Sequence, residues 1–176
     1  MKKLIIIISF ILYWIFILLS AIINKGNVGV LIFYLILFLP LTYAIITNKD
    51  MFALFIIILY ELAECLMSLM FIGSSFVEIE EASILLIITQ FVIAFYSFSM
   101  IVGSVKTLRN KENSVNLYII GLGILRCVMS IVNFIINREF SSEIFFDLFS
   151  NISFIIGISL YLVYFEEKDI KIFVKD

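Results

Sequence analysis

Three charged residues inside long apolar runs are the side chains of this sequence best placed to do chemistry. Glu61 and Glu64 lie in the segment Tyr60-Glu61-Leu62-Ala63-Glu64-Cys65, and Arg126 lies in a separate apolar run. The two glutamates are three residues apart, so in a helix they share one face. A charge at the centre of a bilayer costs at least about 2.5–3.5 kcal/mol. We therefore expect all three side chains to face the protein interior and to neutralise one another.

Depth in the membrane connects Arg126 with the two glutamates. Glu61 follows Met51 by ten residues, and Arg126 follows Asn116 by ten residues. If both helices enter from the same side, a rise of 1.5 Å per residue places both charges roughly 15 Å deep. That depth is the midplane of a hydrocarbon core of about 30 Å. The sequence therefore predicts that Arg126 pairs with Glu61 or Glu64.

The charge balance of this group indicates what it binds. One cation cannot balance two carboxylates, so either one glutamate is protonated at neutral pH or a second cation occupies the site. Both states are typical of a proton-coupled or cation-binding site. The alternative is that the three residues only hold helices together and fix their register.

Further polar residues follow the charged ones at helical spacing. Ser130 and Asn133 continue the face of Arg126, and Gln90 lies in the preceding apolar run. Together with Glu61, Glu64 and Arg126 they are the predicted solute- or ion-binding residues. We expect the polar faces of the last four runs to meet at one cavity, with the first two runs facing lipid or a partner. Ordinary helix packing is the alternative role of these polar residues.

The elements that carry these residues are evident from composition. The chain has 176 residues, of which 64% are hydrophobic and 15% charged, whereas soluble domains are nearer half apolar and a quarter charged. A bilayer span needs roughly 20 apolar residues, and each backbone polar group must be satisfied within its own segment. We predict one all-α integral membrane domain, 1–176, a bundle of six transmembrane helices. The predicted spans are 4–23, 28–47, 51–73, 83–105, 116–137 and 148–165.

The distribution of Lys and Arg predicts the orientation. With the N-terminus in the cytoplasm, nine of these residues lie on the cytoplasmic side and two on the outer side, so both termini are predicted to be cytoplasmic. The outer connections then carry six acidic residues against two basic ones. Such a surface concentrates cations, although ordinary solvated loops have the same composition. Abundant Ile, Phe, Lys and Asn suggest an AT-rich prokaryotic genome, and therefore the cytoplasmic membrane.

Several classes of chemistry are disfavoured. Histidine, the commonest general base and metal ligand, is absent from the sequence. The two cysteines, Cys65 and Cys127, are too few for a structural zinc site and read as packing residues. The net charge of −2 indicates no nucleic-acid partner. We predict no cofactor, no metal and no catalytic residue. A glutamate pair could serve an intramembrane acid–base enzyme, but no metal ligands or phosphate cradle accompany it.

Two functions remain after these exclusions. The first is a transporter or transport subunit, in which the glutamates and Arg126 bind a proton-linked or cationic solute. The second is a non-transporting membrane protein in which the charged residues are structural: an immunity or defence factor, an assembly subunit, or a pore formed by an oligomer. The lipid bilayer is the common partner, and a membrane protein partner or a second copy of the chain is compatible with both.

Overall fold

The computed structural model describes residues 2–23, 28–77, 84–109, 116–137 and 142–166. Apart from short turns at residues 47–49 and 109, these ranges are helical. This confirms the predicted all-helical class. The predicted connection at 24–27, parts of the predicted connections at 74–82, 106–115 and 138–147, and the tail from 167 lie outside the described residues. The six helices are α1 (Lys2–Ile23), α2 (Val28–Ile46), α3 (Asp50–Val77), α4 (Ile84–Leu108), α5 (Asn116–Asn137) and α6 (Ser142–Glu166).

Five of these helices are long and apolar enough to cross a membrane, as expected of a multi-pass membrane protein. α2 has 19 residues and contains Pro40, whose missing backbone N–H removes one hydrogen bond of the helix. The stretches that meet the length and composition of a span are Lys3–Ile22, Asp50–Ser75, Ile84–Leu108, Tyr118–Ile136 and Ile144–Tyr164.

α3 and α6 extend furthest beyond the predicted spans. α3 continues past residue 73 to Val77, and α6 begins at Ser142 rather than at 148. In α3 the hydroxyls of Ser74 and Ser75 donate hydrogen bonds to the carbonyl of Phe71 at 2.9 and 2.8 Å. Polar residues therefore remain helical where their hydroxyls bond to the backbone of the preceding turn. The predicted spans stopped at polar residues, and the helices do not.

The helices form a closed ring. Each helix packs on its neighbours in sequence, and α6 closes the ring against α1. The most extensive packing joins α1 to α6 and α3 to α4, and α4 also contacts α6 across the centre. The faces of α3, α4, α5 and α6 that carry polar residues therefore come together inside the ring.

The first helix contributes a buried face to the bundle. Ile6, Phe10, Tyr13 and Ile17 recur at helical spacing and are at most 5% exposed. The membrane-length part of α1 buries 33% of its residues, a larger share than that of α3, α4 or α5. Its serines, Ser9 and Ser20, are eleven residues apart and both buried, so they lie on this same face. The other faces of α1 expose large apolar side chains, and their contact with lipid or a partner stays a prediction.

Five aromatic side chains form the centre of the core, and we call them the aromatic cluster. The ring centroids of Phe38 and Phe154 are 4.7 Å apart, and Tyr60 lies 5.0 and 5.1 Å from these two. Tyr13 lies 5.2 Å and Phe10 6.1 Å from Phe154. Most of these pairs meet edge to face, the arrangement that aromatic quadrupoles favour. The cluster joins α1, α2, α3 and α6.

Two glycines set the distances at which α6 meets its neighbours. A Cβ on Gly157 of α6 would lie 3.1 Å from the ring of Phe10 in α1. A Cβ on Gly123 of α5 would lie 3.1 Å from the hydroxyl of Ser159 in α6 and 3.3 Å from the ring of Tyr96 in α4. Small residues at such positions allow helices to approach closely.

Candidate functional site

The ion pair predicted from depth is present, and it joins α3 to α5. Arg126 Nη2 lies 2.6 Å from Glu64 Oε2, and the Arg126 residue is 3% exposed. Of the two glutamates that the sequence left open, Glu64 is the partner. A buried arginine beside a carboxylate is neutralised locally, which is the arrangement that a charge inside the membrane requires. We call Glu61, Glu64 and Arg126 the charged cluster.

Tyr60 completes the surroundings of Glu64. Its hydroxyl donates a hydrogen bond of 2.5 Å to Glu64 Oε1, one helical turn away on α3. One oxygen of Glu64 therefore faces a phenol and the other faces a guanidinium. Because the ring of Tyr60 belongs to the aromatic cluster, the two clusters share this residue.

The ring of Tyr96 in α4 lies against the guanidinium group of Arg126. The guanidinium carbon lies 5.1 Å from the centre of the Tyr96 ring, within the range of a cation–π interaction. The Tyr96 hydroxyl shares a hydrogen bond of 2.8 Å with the hydroxyl of Ser159 in α6. Tyr96 has no exposed surface. Four helices, α3 to α6, therefore enclose the cation.

Glu61 differs from Glu64 in its surroundings. It is 0% exposed and interacts electrostatically with Arg126 and Glu64, and Ser97 of α4 lies beside it. Within the part of the chain that the structure describes, neither Glu61 carboxylate oxygen meets both the distance and the angle of a hydrogen bond, although the Ser97 hydroxyl lies close enough to interact with the carboxylate. A buried carboxylate without well-aligned hydrogen bonds is costly as an anion. The chemistry of this position therefore favours a bound proton or a cation at Glu61.

Ser97 and Ser104 extend this polar row along α4. They are seven residues apart, which places them on one helix face roughly 10 Å apart along the axis. Both side chains are fully buried. The row leads from Glu61 toward the end of α4 that carries Lys106.

The other three predicted site residues do not join the charged cluster. Gln90 is half-buried on α4, roughly 10 Å along the helix from Ser97. The Ser130 hydroxyl donates to the backbone carbonyl of Arg126 at 3.0 Å. The Asn133 side-chain nitrogen donates to the Thr89 hydroxyl at 2.9 Å. The structure thus unites three of the six residues and separates the rest.

Ser130 and Asn133 line a second feature, a cavity of about 270 Å³ between α5 and α6, which we call the α5–α6 cavity. The charged cluster does not line it, so the two polar features are distinct, whereas the sequence predicted one shared cavity. Its walls are Ser130, Asn133, Phe134, Ile144, Asp147, Leu148 and Asn151.

Tyr60, Tyr96 and Ser97 were not predicted as site residues. Tyr60 is adjacent to Glu61 in sequence, and Ser97 lies seven residues after Gln90 on the same face of α4. A search for polar residues at helical spacing could therefore have found Ser97. The contact between Tyr96 and Arg126 depends on how α4 and α5 rotate against each other, and no local pattern shows that.

Comparison of the chain with protein-family models, with curated proteins and with solved structures gave no match. Within the described ranges, no group of three or more Cys, Asp or Glu side chains is placed to hold a metal ion. Any function must therefore be argued from the charged cluster and the α5–α6 cavity themselves.

Proposed function

We propose that the chain is a multi-pass protein of a prokaryotic cytoplasmic membrane that transports a proton-linked or cationic solute, alone or as a transport subunit. In this proposal all six helices span the bilayer and both termini lie in the cytoplasm. Support comes from the five membrane-length helices and from the excess of Lys and Arg on the proposed cytoplasmic side.

The observation that carries the proposal is the position of Glu61. Glu64 is neutralised by Arg126, so Glu61 is a second carboxylate for which the site has no second protein cation among the described residues. Fully buried, it must hold a proton or a solute cation to be stable in this environment. A carboxyl group that exchanges its proton for a solute cation can couple proton release to cation binding.

The surrounding residues take separate roles in this proposal. Arg126 is the fixed countercharge of Glu64, and Tyr60 and Tyr96 hold that pair in place. Glu61 is the exchangeable group. Ser97 and Ser104 provide polar atoms along the route from Glu61 to the end of α4. In the proposed topology that end faces the cytoplasm.

A structural role is the second candidate, and one observation favours it. The Glu64, Arg126 and Tyr60 side chains are mutually paired and pack against the aromatic cluster. Such a network can fix helix register without transporting anything. The chain would then be an immunity or defence factor, an assembly subunit or an oligomeric pore, and the proton on Glu61 would not exchange.

Infrared spectroscopy of the reconstituted protein separates the two candidates. The C=O stretch of a protonated carboxyl group should be present at neutral pH and should be lost in Glu61→Gln. If the chain is a transporter, the frequency or intensity of this band should change when the pH is raised or when Na⁺, K⁺ or methylammonium is added. Leu62→Ala is the control, because Leu62 is adjacent in sequence but 46% exposed on the outer surface of the bundle.

A flux measurement completes the test. Liposomes holding the protein and an internal pH dye should change their internal pH when one of these cations is added outside. Glu61→Gln liposomes should match protein-free liposomes. A carboxyl band that none of the cations or pH changes affect, together with silent wild-type liposomes, would contradict transport and favour the structural role.

A further inference from the structure

We propose that the α5–α6 cavity is a binding site for a small organic cation, a protonated primary amine with an apolar body. This inference rests on the proposed function, because it names the class of solute that the protein would carry. It concerns a different set of residues from the charged cluster, and it adds Asp147 and Asn151 to the residues that the sequence predicted.

The size of the cavity limits what it can hold. A volume of about 270 Å³ corresponds to roughly nine water molecules at ~30 Å³ each. Ligand pockets for drug-sized molecules begin at about 300 Å³. The cavity therefore fits a small solute and is too small for a peptide or a folded partner.

Several polar atoms of the cavity are acceptors. The Asn133 side-chain nitrogen donates one N–H to Thr89, and its carbonyl oxygen and second N–H remain, while the Asn151 amide can also both accept and donate. The Ser130 hydroxyl donates its proton to the Arg126 carbonyl, so its oxygen can only accept from a ligand. Asp147 adds a carboxylate. A group with several N–H donors and a positive charge is complementary to such a set.

Asp147 is held in position from α1. The Ser20 hydroxyl donates a hydrogen bond of 2.7 Å to Asp147 Oδ1, and Ser20 is 7% exposed. The second carboxylate oxygen remains able to accept from a ligand in the cavity. Ser20 is therefore a positioning residue that fixes the anionic group from a neighbouring helix.

The apolar walls distinguish an organic cation from an inorganic one. Phe134, Ile144 and Leu148 line the cavity beside the polar groups. A metal cation requires oxygen ligands all around it, and these side chains cannot provide them. They can pack against the hydrocarbon part of an amine, while its ammonium group lies at Asp147.

The location of the cavity suits a site reached before the membrane centre. Ser130 lies one helical turn, roughly 6 Å, from Arg126 along α5. In the proposed topology this displacement is toward the outer surface. A cation bound at Asp147 would therefore lie on the path from the outer connections to Glu61.

The experiment compares two probes of similar shape, 2-phenylethylamine and 2-phenylethanol, by calorimetric titration of the purified full-length protein. The amine should bind at least about tenfold more tightly, which corresponds to ~1.4 kcal/mol. Asp147→Asn should abolish this preference. Glu80→Gln is the matched control, because it removes one acidic charge from the segment between α3 and α4 and should leave amine binding unchanged.

Ser130→Leu provides a second route if Asp147→Asn fails to fold, because it fills the cavity without altering its charge. It should eliminate amine binding. Equal affinities for amine and alcohol, a preference that survives in Asp147→Asn, amine binding that survives in Ser130→Leu, or no amine binding by the wild type would each overturn the proposal.

The failure of this inference can be distinguished from the failure of the proposed function. Wild-type protein with an exchangeable Glu61 carboxyl band and no amine binding would overturn the α5–α6 site alone. Wild-type protein that binds the amine through Asp147, with a static Glu61 band and silent liposomes, would overturn transport and leave the binding site in place.

Discussion

The charged cluster and the aromatic cluster lie side by side in one bundle, yet they are stabilised in different ways. In the aromatic cluster the ring centroids are 4.7–6.1 Å apart, and each ring is stabilised by many weak packing contacts. In the charged cluster Glu64 depends on one particular partner, Arg126 at 2.6 Å, and Glu61 has no comparable partner among the described residues. Tyr60 takes part in both, through its ring in one and its hydroxyl in the other.

The difference determines how each cluster responds to substitution. Removing a ring costs the contacts and volume that are lost. Removing one member of an ion pair lowers stability mainly because the remaining charged partner stays buried and unpaired. The four predictions below use this distinction, and each is measured as the free energy of unfolding in mixed micelles.

The largest effect is expected for Arg126→Gln. It leaves Glu64 buried without its countercharge, and the expected loss is about 3–5 kcal/mol. Adding Glu64→Gln should recover part of this loss, since it removes one orphaned charge. Leu125→Ala, at a neighbouring and 43% exposed position, serves as control. An Arg126→Gln protein as stable as the wild type would contradict the paired-charge description.

Phe154→Ala tests the aromatic cluster. Phe154 contacts Phe10, Tyr13, Phe38 and Tyr60, and its removal should cost about 3 kcal/mol through lost contacts and a cavity. The same change at Phe95, which is 61% exposed on the bundle surface, should cost far less. Similar losses at the two positions would mean that the cluster is not the core of the fold.

The two glutamates should respond in opposite ways. Glu64→Gln removes the partner of Arg126, and we expect a loss of about 2 kcal/mol. Glu61→Gln removes a buried carboxyl that has no described hydrogen bond, and stability should stay within about 0.5 kcal/mol or rise. A loss for Glu61→Gln as large as that for Glu64→Gln would show that Glu61 stabilises the resting protein.

Tyr60→Phe should cost less than Arg126→Gln, Phe154→Ala or Glu64→Gln. It keeps the ring in the aromatic cluster and deletes the hydrogen bond to Glu64, at an expected cost of about 1.5 kcal/mol. In the Glu64→Gln background the same change should cost less, because the acceptor is no longer charged. An undiminished cost in that background would place the contribution of Tyr60 elsewhere.

The parts of this structure that were predictable from sequence depend on length and depth. Runs of about 20 apolar residues located the helices to within several residues. Counting ten residues into the third and fifth runs predicted that Arg126 pairs with Glu61 or Glu64, because a charge in lipid has few alternatives. The structure contains the pair with Glu64. These inferences need no knowledge of which helix lies beside which.

The unpredicted parts depend on helix rotation and neighbourhood. Three contacts depend on how the helices are rotated against one another. Arg126 pairs with Glu64 rather than with Glu61, the ring of Tyr96 lies against Arg126, and α1 packs on α6. α1 is largely apolar on its exposed faces as well as on its buried face, so hydropathy alone orients it weakly. The separation of Ser130 and Asn133 from the charged cluster has the same cause.

The glycine contacts of α6 have a consequence for movement. Because Gly157 has no side chain, the ring of Phe10 from α1 lies directly against α6. Gly123 of α5 likewise lies directly against Ser159 of α6. α6 therefore packs closely against α1 and α5, and these close contacts oppose sliding of α6 along either helix. Gly123 also meets the ring of Tyr96 in α4, and the Tyr96 hydroxyl is hydrogen-bonded to Ser159 of α6. The two glycines therefore tie α6 to α1, α5 and α4, and a larger residue at either position should separate these helices.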